Sequence, residues 1–305
     1  ADIEPMTFNL DPVSIEKNIS SKTRAIVVPD IFGHAADLDA IMAIAQKHNL
    51  KVIEDAAQSP GAIYKDSYVG TIADIGVFSL NYHKHIHTGE GGICVTNDDD
   101  LAERMRLIRN HAEAVVAGKE VLSLTNLVGF NFRLGEIEAA IGLEQLKKLK
   151  RLVDQKSRAG SRLTEGLSNL KGLIPPLVAS GCTHVYYVYP MTLKSETIGI
   201  PRKKIVEALR AEGIPGLIEG YVNIHLLPMY QRKIAYGSKG FPWIAGNYIS
   251  SISYNKGICP VAEALHDDAM MGLLLCMHDF NDQEVDLVIK AFRKVWEQLD
   301  KLIDT

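Results

Sequence analysis

The chain of 305 residues is 47% hydrophobic and 23% charged, which is enough apolar mass to bury a sizeable core and too much for a disordered chain. Its 33 Lys and Arg against 37 Asp and Glu leave a formal charge of -4 without a long block of one sign, so there is no electrostatic ground for a nucleic-acid partner. The start Ala1-Asp2-Ile3-Glu4 lacks a signal-peptide pattern, no apolar run has the roughly 18 residues of a membrane span, and Cys94, Cys182, Cys259 and Cys276 form no Cys-x-x-Cys pair, which points to a soluble cytoplasmic protein with reduced thiols and no structural zinc.

In chain order, Ala25 to Val28 reads as a strand, Ala35 to Lys47 as an amphipathic helix and Lys51 to Asp55 as a second strand, the grammar of a βαβ unit. Ile75 to Phe78 and Ile93 to Thr96 are two more strands, and a Thr-Asn-Asp turn then opens a charged helix from about Asp98 to Asn110, with Asn97 and Asp98 available as caps. From Arg133 to about Leu167 the pattern is helical, as two helices or one bent one, with Ile137, Ala140, Ile141, Leu143, Leu146 and Leu149 on its apolar face. Gly172 to Gly181 is a break rich in Pro and Gly, and His184 to Pro190 reads as a strand. Pro201 opens a helix to about Glu212, an irregular stretch covers Pro228 to Pro242, and Asp282 to Leu299 is an amphipathic closing helix. Residues 1–150 are expected to form a large domain, 151–171 a connecting helix and 172–305 a smaller domain.

The segment from Phe78 to Gly92, FSLNYHKHIHTGEGG, is polar and rich in titratable groups although it lies between two apolar strands, a position that costs free energy unless those groups are paired or used. Upstream, the strand ending Glu54-Asp55-Ala-Ala-Gln58 delivers a carboxylate to the C-terminal edge of a parallel sheet, where ligands of open α/β folds collect. A strand-end Asp together with a Lys in a loop after another strand is the pairing that pyridoxal phosphate chemistry needs, one to keep a pyridine nitrogen protonated and the other to bond the aldehyde carbon.

The ordered set Asp55-x-x-Gln58, Ser79, Lys84, Thr88-Gly-Glu-Gly-Gly92, Gly129-Phe-Asn-Phe-Arg133 and Ala139 to Leu146 resembles the DegT/DnrJ/EryC1/StrS family of sugar aminotransferases. The resemblance runs from about Asp2 to the last helix. It implies an α/β fold like that of aspartate aminotransferase, fold type I of pyridoxal phosphate enzymes: a large domain with a mostly parallel sheet and a smaller C-terminal α+β domain. By the same resemblance Lys84 bonds the cofactor and moves the proton between cofactor and sugar, Asp55 pairs with the pyridine nitrogen, and Gln58 touches the ring or its phenolic oxygen. Ser79 donates to the phosphate, and Asn131 reaches the phosphate of a neighbouring subunit, which implies a homodimer with shared active sites. His225, in Gly220 to Met229, resembles a segment lining the sugar site. The implied reaction moves an amino group, from glutamate, to a keto carbon of a nucleotide-linked deoxysugar for surface polysaccharide or amino-sugar synthesis, with no nucleic acid and no membrane involved.

Other readings stay open at this level. Asp55 is also suited to cap a helix, and Arg133 to pair with Glu136 or Glu138. His83, His85 and His87 alternate, so on an extended segment they share one side and offer zinc ligands for a hydrolase, although Lys84 between them disfavours a dication and no metal is expected. The family has an N-terminal segment with a phosphate-binding turn that nothing before Ala1 supplies, so an incomplete phosphate cup and an unpaired sheet edge are expected, and with them an alternative as a non-catalytic, dimerising relative.

Overall fold

The structure is a computed structural model that describes residues 1–112, 127–246 and 248–303. The chain divides into two compact units. One comprises Ile19–Arg158 with Val178–Tyr187, and the other comprises Ala1–Asn18, Ala159–Leu177 and Val188–Thr305.

The first unit is built on strands β1 (Ala25–Pro29), β2 (Lys51–Asp55), β3 (Ile75–Ser79) and β4 (Gly92–Val95), paired in that order. β1 with β2 and β2 with β3 are parallel, whereas β4 returns antiparallel to β3. Helix α1 (Leu38–His48) makes the first crossover. Asp37 caps it by accepting from the Ala40 N–H, and Asn49 ends it in the left-handed conformation that short polar side chains tolerate. Leu38, Ile41 and Ala45 fall on one face of α1 and are buried, as are Val28 and Val52 of the strands, each large aliphatic side chain contributing about 1.5–3 kcal/mol of transfer free energy. Helix α2 (Asp99–Arg109) is capped by Asp98, whose side chain accepts from Leu101, and α3 (Glu136–Leu146) and α4 (Leu149–Leu167) are two separate helices, α4 belonging to this unit as far as Arg158 and to the second from Ala159 on.

Alternation along β2 puts Val52 and Glu54 on one face and Ile53 and Asp55 on the other. Glu54 is fully buried. Its carboxylate accepts the N–H groups of Gly70 (2.6 Å), Ile72 (3.1 Å) and Ala73 (3.2 Å), which folds the loop before β3 back onto the sheet. On the same face the loop comes so close that a methyl group at Gly76 in β3 would fall 1.7 Å from the Gly70 carbonyl oxygen.

The second unit has a four-stranded antiparallel sheet in the order β5 (Leu173–Ile174), β6 (Tyr189–Leu193), β8 (Met270–Leu273), β7 (Leu217–Glu219). Its helices include α5 (Arg202–Ala211), the single turn α6 (Pro260–Ala264) and α7 (Asp282–Trp296), which a reciprocal capping box of Asn281 and Glu284 opens. α7 buries Val285, Val288, Phe292 and Val295, an i, i+3, i+7, i+10 stripe. The first residues of the chain belong to this unit, where the Asp2 carboxylate accepts from Val261 (2.8 Å) and Ala262 (3.0 Å) at the start of α6.

The strand read at His184 to Pro190 is displaced. It begins at Tyr189, because His184 to Tyr187 belong to the first unit: Val185 N–H donates to the Gly33 carbonyl at 2.9 Å, and Tyr186 takes a φ of 50°, which no strand continues through. Among the described residues no helix is long and apolar enough to cross a membrane.

Candidate active site

Parallel register pairs Asp55 with Val77, so Ser79, two residues further along β3, projects from the same face of the sheet as Asp55. One strand spacing and two residue rises separate them by about 8 Å, at the C-terminal edge of both strands. Lys84 stands in the turn that leaves Ser79, its main-chain N–H donating to the Asn81 carbonyl at 3.0 Å. Sequence pattern and topology therefore bring Asp55, Ser79 and Lys84 to one sheet edge.

Each of the three is held by its own chain. Asp55 Oδ1 accepts the Ala57 N–H at 3.1 Å in a turn, not a helix cap, while Oδ2 takes no hydrogen bond among the described residues. The Ser79 hydroxyl accepts from Asn81 at 3.2 Å, which leaves its own proton to donate. Gln58 is fixed by its Oε1, which accepts the Phe32 N–H at 2.7 Å. The Lys84 ammonium nitrogen lies 4.4 Å from the centre of the Tyr187 ring.

The surroundings favour neutral groups. Asp30, just after β1, is 1% exposed, with one oxygen bonded to the Ala36 N–H at 2.9 Å and Oδ2 without a partner among the described residues; burial first, then the nearby Glu54 and Asp55 charges, push its carboxyl well above the usual carboxylate range against that one hydrogen bond. His85 is buried and its Nε2 meets the Val185 carbonyl at 2.8 Å, so Nε2 carries the proton; burial moves it down to about 4, with Lys156 and Lys84 adding to the shift. Burial likewise lowers His184, helped by His34 and His85, and lowers His83, helped by Lys84.

The three alternating histidines do not share a side. The segment from Tyr82 to Ile86 is a succession of turns and bends, His85 points inward to Val185, and exposed His87 accepts from the Gly89 N–H at 3.4 Å through Nδ1. Among the described residues no three His, Cys, Asp or Glu side chains are grouped to hold a metal.

Asn131 is exposed, in a short bridge to Asn110, whose side chain takes the Arg133 guanidinium at 2.7 Å. The same stretch exposes Phe130 and Phe132, stacked at 4.9 Å, and α3 continues it with Ile137, Ile141, Leu143 and Leu146 all exposed. In the second unit, His225 Nε2 lies 2.9 Å from Oε1 of Glu263, a side chain 5% exposed that also accepts the N–H groups of Gly257 (2.7 and 2.8 Å) and Cys259 (3.2 Å). Burial raises the Glu263 carboxyl, but His225 and the two N–H donors outweigh it and leave the group below its usual value. Glu54, Tyr187 and Glu263 carry no mark in the sequence, since each is defined by what folds onto it.

These residues suit pyridoxal phosphate. Asp55 Oδ2 offers an acceptor for a pyridinium N–H, Ser79 a donor for phosphate about 8 Å away, and Lys84 an amine in the loop beside both.

Comparison with known proteins places the chain in one family. A model of the DegT/DnrJ/EryC1/StrS aminotransferase family matches residues 1–293. The spore coat polysaccharide biosynthesis protein SpsC of Bacillus subtilis is 30% identical over 306 residues, 98% of this chain and 74% of that protein. GDP-perosamine synthase of Caulobacter vibrioides is 36% identical over 230 residues, 75% of this chain and 60% of that protein. The crystal structure of S. venezuelae DesV, in complex with a ketimine intermediate, superposes with a TM-score of 0.79 at 28% identity over 97% of this chain and 71% of its own.

Proposed function

The chain belongs to the DegT/DnrJ/EryC1/StrS aminotransferase family and has the type I fold of pyridoxal phosphate enzymes, and from that premise we propose that it moves an amino group from glutamate onto a keto carbon of a nucleotide-linked deoxysugar, in surface polysaccharide or amino-sugar synthesis. The observation that carries the reading is the placement of Asp55 and Ser79 on one face of the parallel strand pair, with Lys84 in the loop that follows.

Bound there, pyridoxal phosphate supplies an aldehyde that carries the amino group between substrates and a ring that accepts electrons when a C–H bond breaks. Asp55 holds the proton on the ring nitrogen by ion pairing, which is what makes the ring an electron sink. Ser79 donates its hydroxyl proton to the phosphate. Gln58, its amide oriented by the Phe32 N–H, sets the ring within the site. Lys84 would be the amine that bonds the aldehyde carbon and, through its Nζ, the base and acid that would take up and return a proton at the reacting carbon. His225 contacts the sugar, with its ring oriented by Glu263.

A second copy of the chain completes the site in this reading. Asn131 reaches the partner's phosphate, and the apolar strip formed by Phe130, Phe132, Ile137 and Ile141 covers itself against the partner, since an exposed row of that size on a helix and its lead-in is characteristic of an interface.

The test is the absorbance of the purified protein after addition of pyridoxal phosphate. A visible band is expected that is absent in Lys84→Ala and is bleached by glutamate. A folded protein without that band, in assays that include a dimeric preparation, would overturn the reading.

A further inference from the structure

Lys84 is set against one particular surface. Its ammonium nitrogen is 4.4 Å from the Tyr187 ring centre, well within cation–π range, and the ring is 8% exposed, so the contact is largely shielded from water. The rings of His83 and His85 lie 6.0 and 6.5 Å from the same tyrosine ring, one on each side of Lys84 in sequence.

The position of Tyr187 is fixed by main chain. Gly33, at φ 102°, approaches so closely that a methyl group there would lie 2.8 Å from the Tyr186 nitrogen and 3.0 Å from the Tyr187 nitrogen. The Val185 N–H donates to the Gly33 carbonyl, the Val185 carbonyl accepts from His85, and the Ser157 hydroxyl donates to the His184 carbonyl at 2.9 Å. Phe32, next to Gly33, donates its N–H to Gln58. One rigid run thus ties Gln58 to the lysine loop through residues 32–33 and 185–187.

We propose that Tyr187 is a positioning residue for Lys84: its ring face holds the ammonium group at one place on the sheet edge, where the amine meets the cofactor aldehyde and to which it returns after the amino group has been transferred. The proposal rests on the reading of Lys84 as the reactive lysine, but the contact itself is a property of the protein before any cofactor binds. Charged and titratable groups in this surrounding include His83 and His85 of the same loop, each of which feels the Lys84 charge, Glu90, which acts on His83, Lys156 of α4, which acts on His85, and the Asp55 carboxylate at the sheet edge.

The experiment measures the rate at which trinitrobenzenesulfonate labels Lys84 in cofactor-free protein as a function of pH, read by peptide mass mapping. It compares the wild type with Tyr187→Phe, which keeps the ring, and Tyr187→Leu, which removes it. Loss of the ring face is expected to lower the midpoint of the labelling profile by about one pH unit, so that labelling below the midpoint becomes about tenfold faster, while Tyr187→Phe stays within a few tenths of a unit of wild type. Greater access alone would raise the rate at every pH and leave the midpoint in place. Because Tyr187→Leu opens space in a buried segment, Tyr187→pentafluorophenylalanine supplies the same shape with the ring quadrupole reversed and is expected to shift the midpoint in the same direction. An unchanged or raised midpoint in a folded variant overturns the proposal. If instead the midpoint falls but wild-type protein gives no Lys84-dependent visible band with pyridoxal phosphate, the positioning contact stands and the aminotransferase reading fails.

Discussion

Glu54 in β2 and Glu263 in α6 are both buried carboxylates that organise a loop, yet Glu54 is satisfied wholly by main-chain N–H groups of Gly70, Ile72 and Ala73, whereas Glu263 divides its oxygens between the N–H groups of Gly257 and Cys259 and the ring of His225. The histidines differ in the same way. His85 spends its Nε2 proton on the Val185 carbonyl, and His225 spends its own on a carboxylate. Main-chain partners do not titrate, so what changes with pH around the lysine loop is the buried His85 ring itself and not the group it is bonded to. The Glu263 carboxylate does titrate, so the region around His225 is held by a partner that changes with pH.

Removing Glu54 is expected to cost most. Glu54→Ala orphans three N–H groups beneath the sheet, at about 1–3 kcal/mol each, so denaturant titration is expected to show a loss of at least about 3 kcal/mol. A loss below about 1 kcal/mol would mean that the loop before β3 is held by something else and would dissolve the contrast with Glu263.

Acid tests the histidines next. His85 has a folded-state value of about 4 against an ordinary 6.5, so it is neutral in the folded protein where the unfolded chain would protonate it. Its contribution is fully present above pH 6.5 and is lost as pH falls from 6.5 to 4, an effect of roughly 3 kcal/mol across that window. His34 and His184 are lowered too and add slope of the same sign, so the measurement is the difference between wild type and His85→Gln in denaturant midpoints taken from pH 7 to pH 4. A constant difference across the series would contradict the buried neutral imidazole.

Glu263 gives the smallest effect, and in a lower window. Its folded value lies below the ordinary 4.5, so the stability it contributes is complete above about pH 4.5 and disappears as pH falls through the lowered value. The melting temperature gap between wild type and Glu263→Gln is therefore expected to be widest near neutrality and to close on acidification below pH 4.5. If Glu263→Gln also raises KM for the sugar while leaving bleaching by glutamate unchanged, the pair belongs to substrate recognition; equal losses in both half-reactions would reduce it to scaffolding.

These effects also mark how far the sequence could be read. The βαβ start, the carboxylate at the end of β2 and the lysine after β3 follow from local pattern, because apolar alternation and strand-end chemistry involve neighbours in the chain. Glu54 sits one residue from Asp55 and looks equivalent to it. Only the pleat, which turns successive side chains to opposite faces, and a loop sixteen residues away separate their roles. The run from His184 to Pro190 misleads for a related reason. Its apolar residues are those of a strand, but the close passage of Gly33, some 150 residues earlier, takes the first four of them elsewhere. The three alternating histidines show that period-two spacing has a meaning only on an extended backbone, which turns and bends replace here.

The 1.7 Å approach at Gly76 sets a limit on redesign of the protein. A protocol that ranks residues by strand propensity would place valine or isoleucine at this interior position of β3. Any side chain there would drive the Gly70 carbonyl off the sheet, pull the neighbouring N–H groups from Glu54 and so disturb the strand whose far end carries Ser79. The tolerance of this strand to sequence change is decided by what lies across the face, and a deep mutational scan would see it as a position where even alanine is lost.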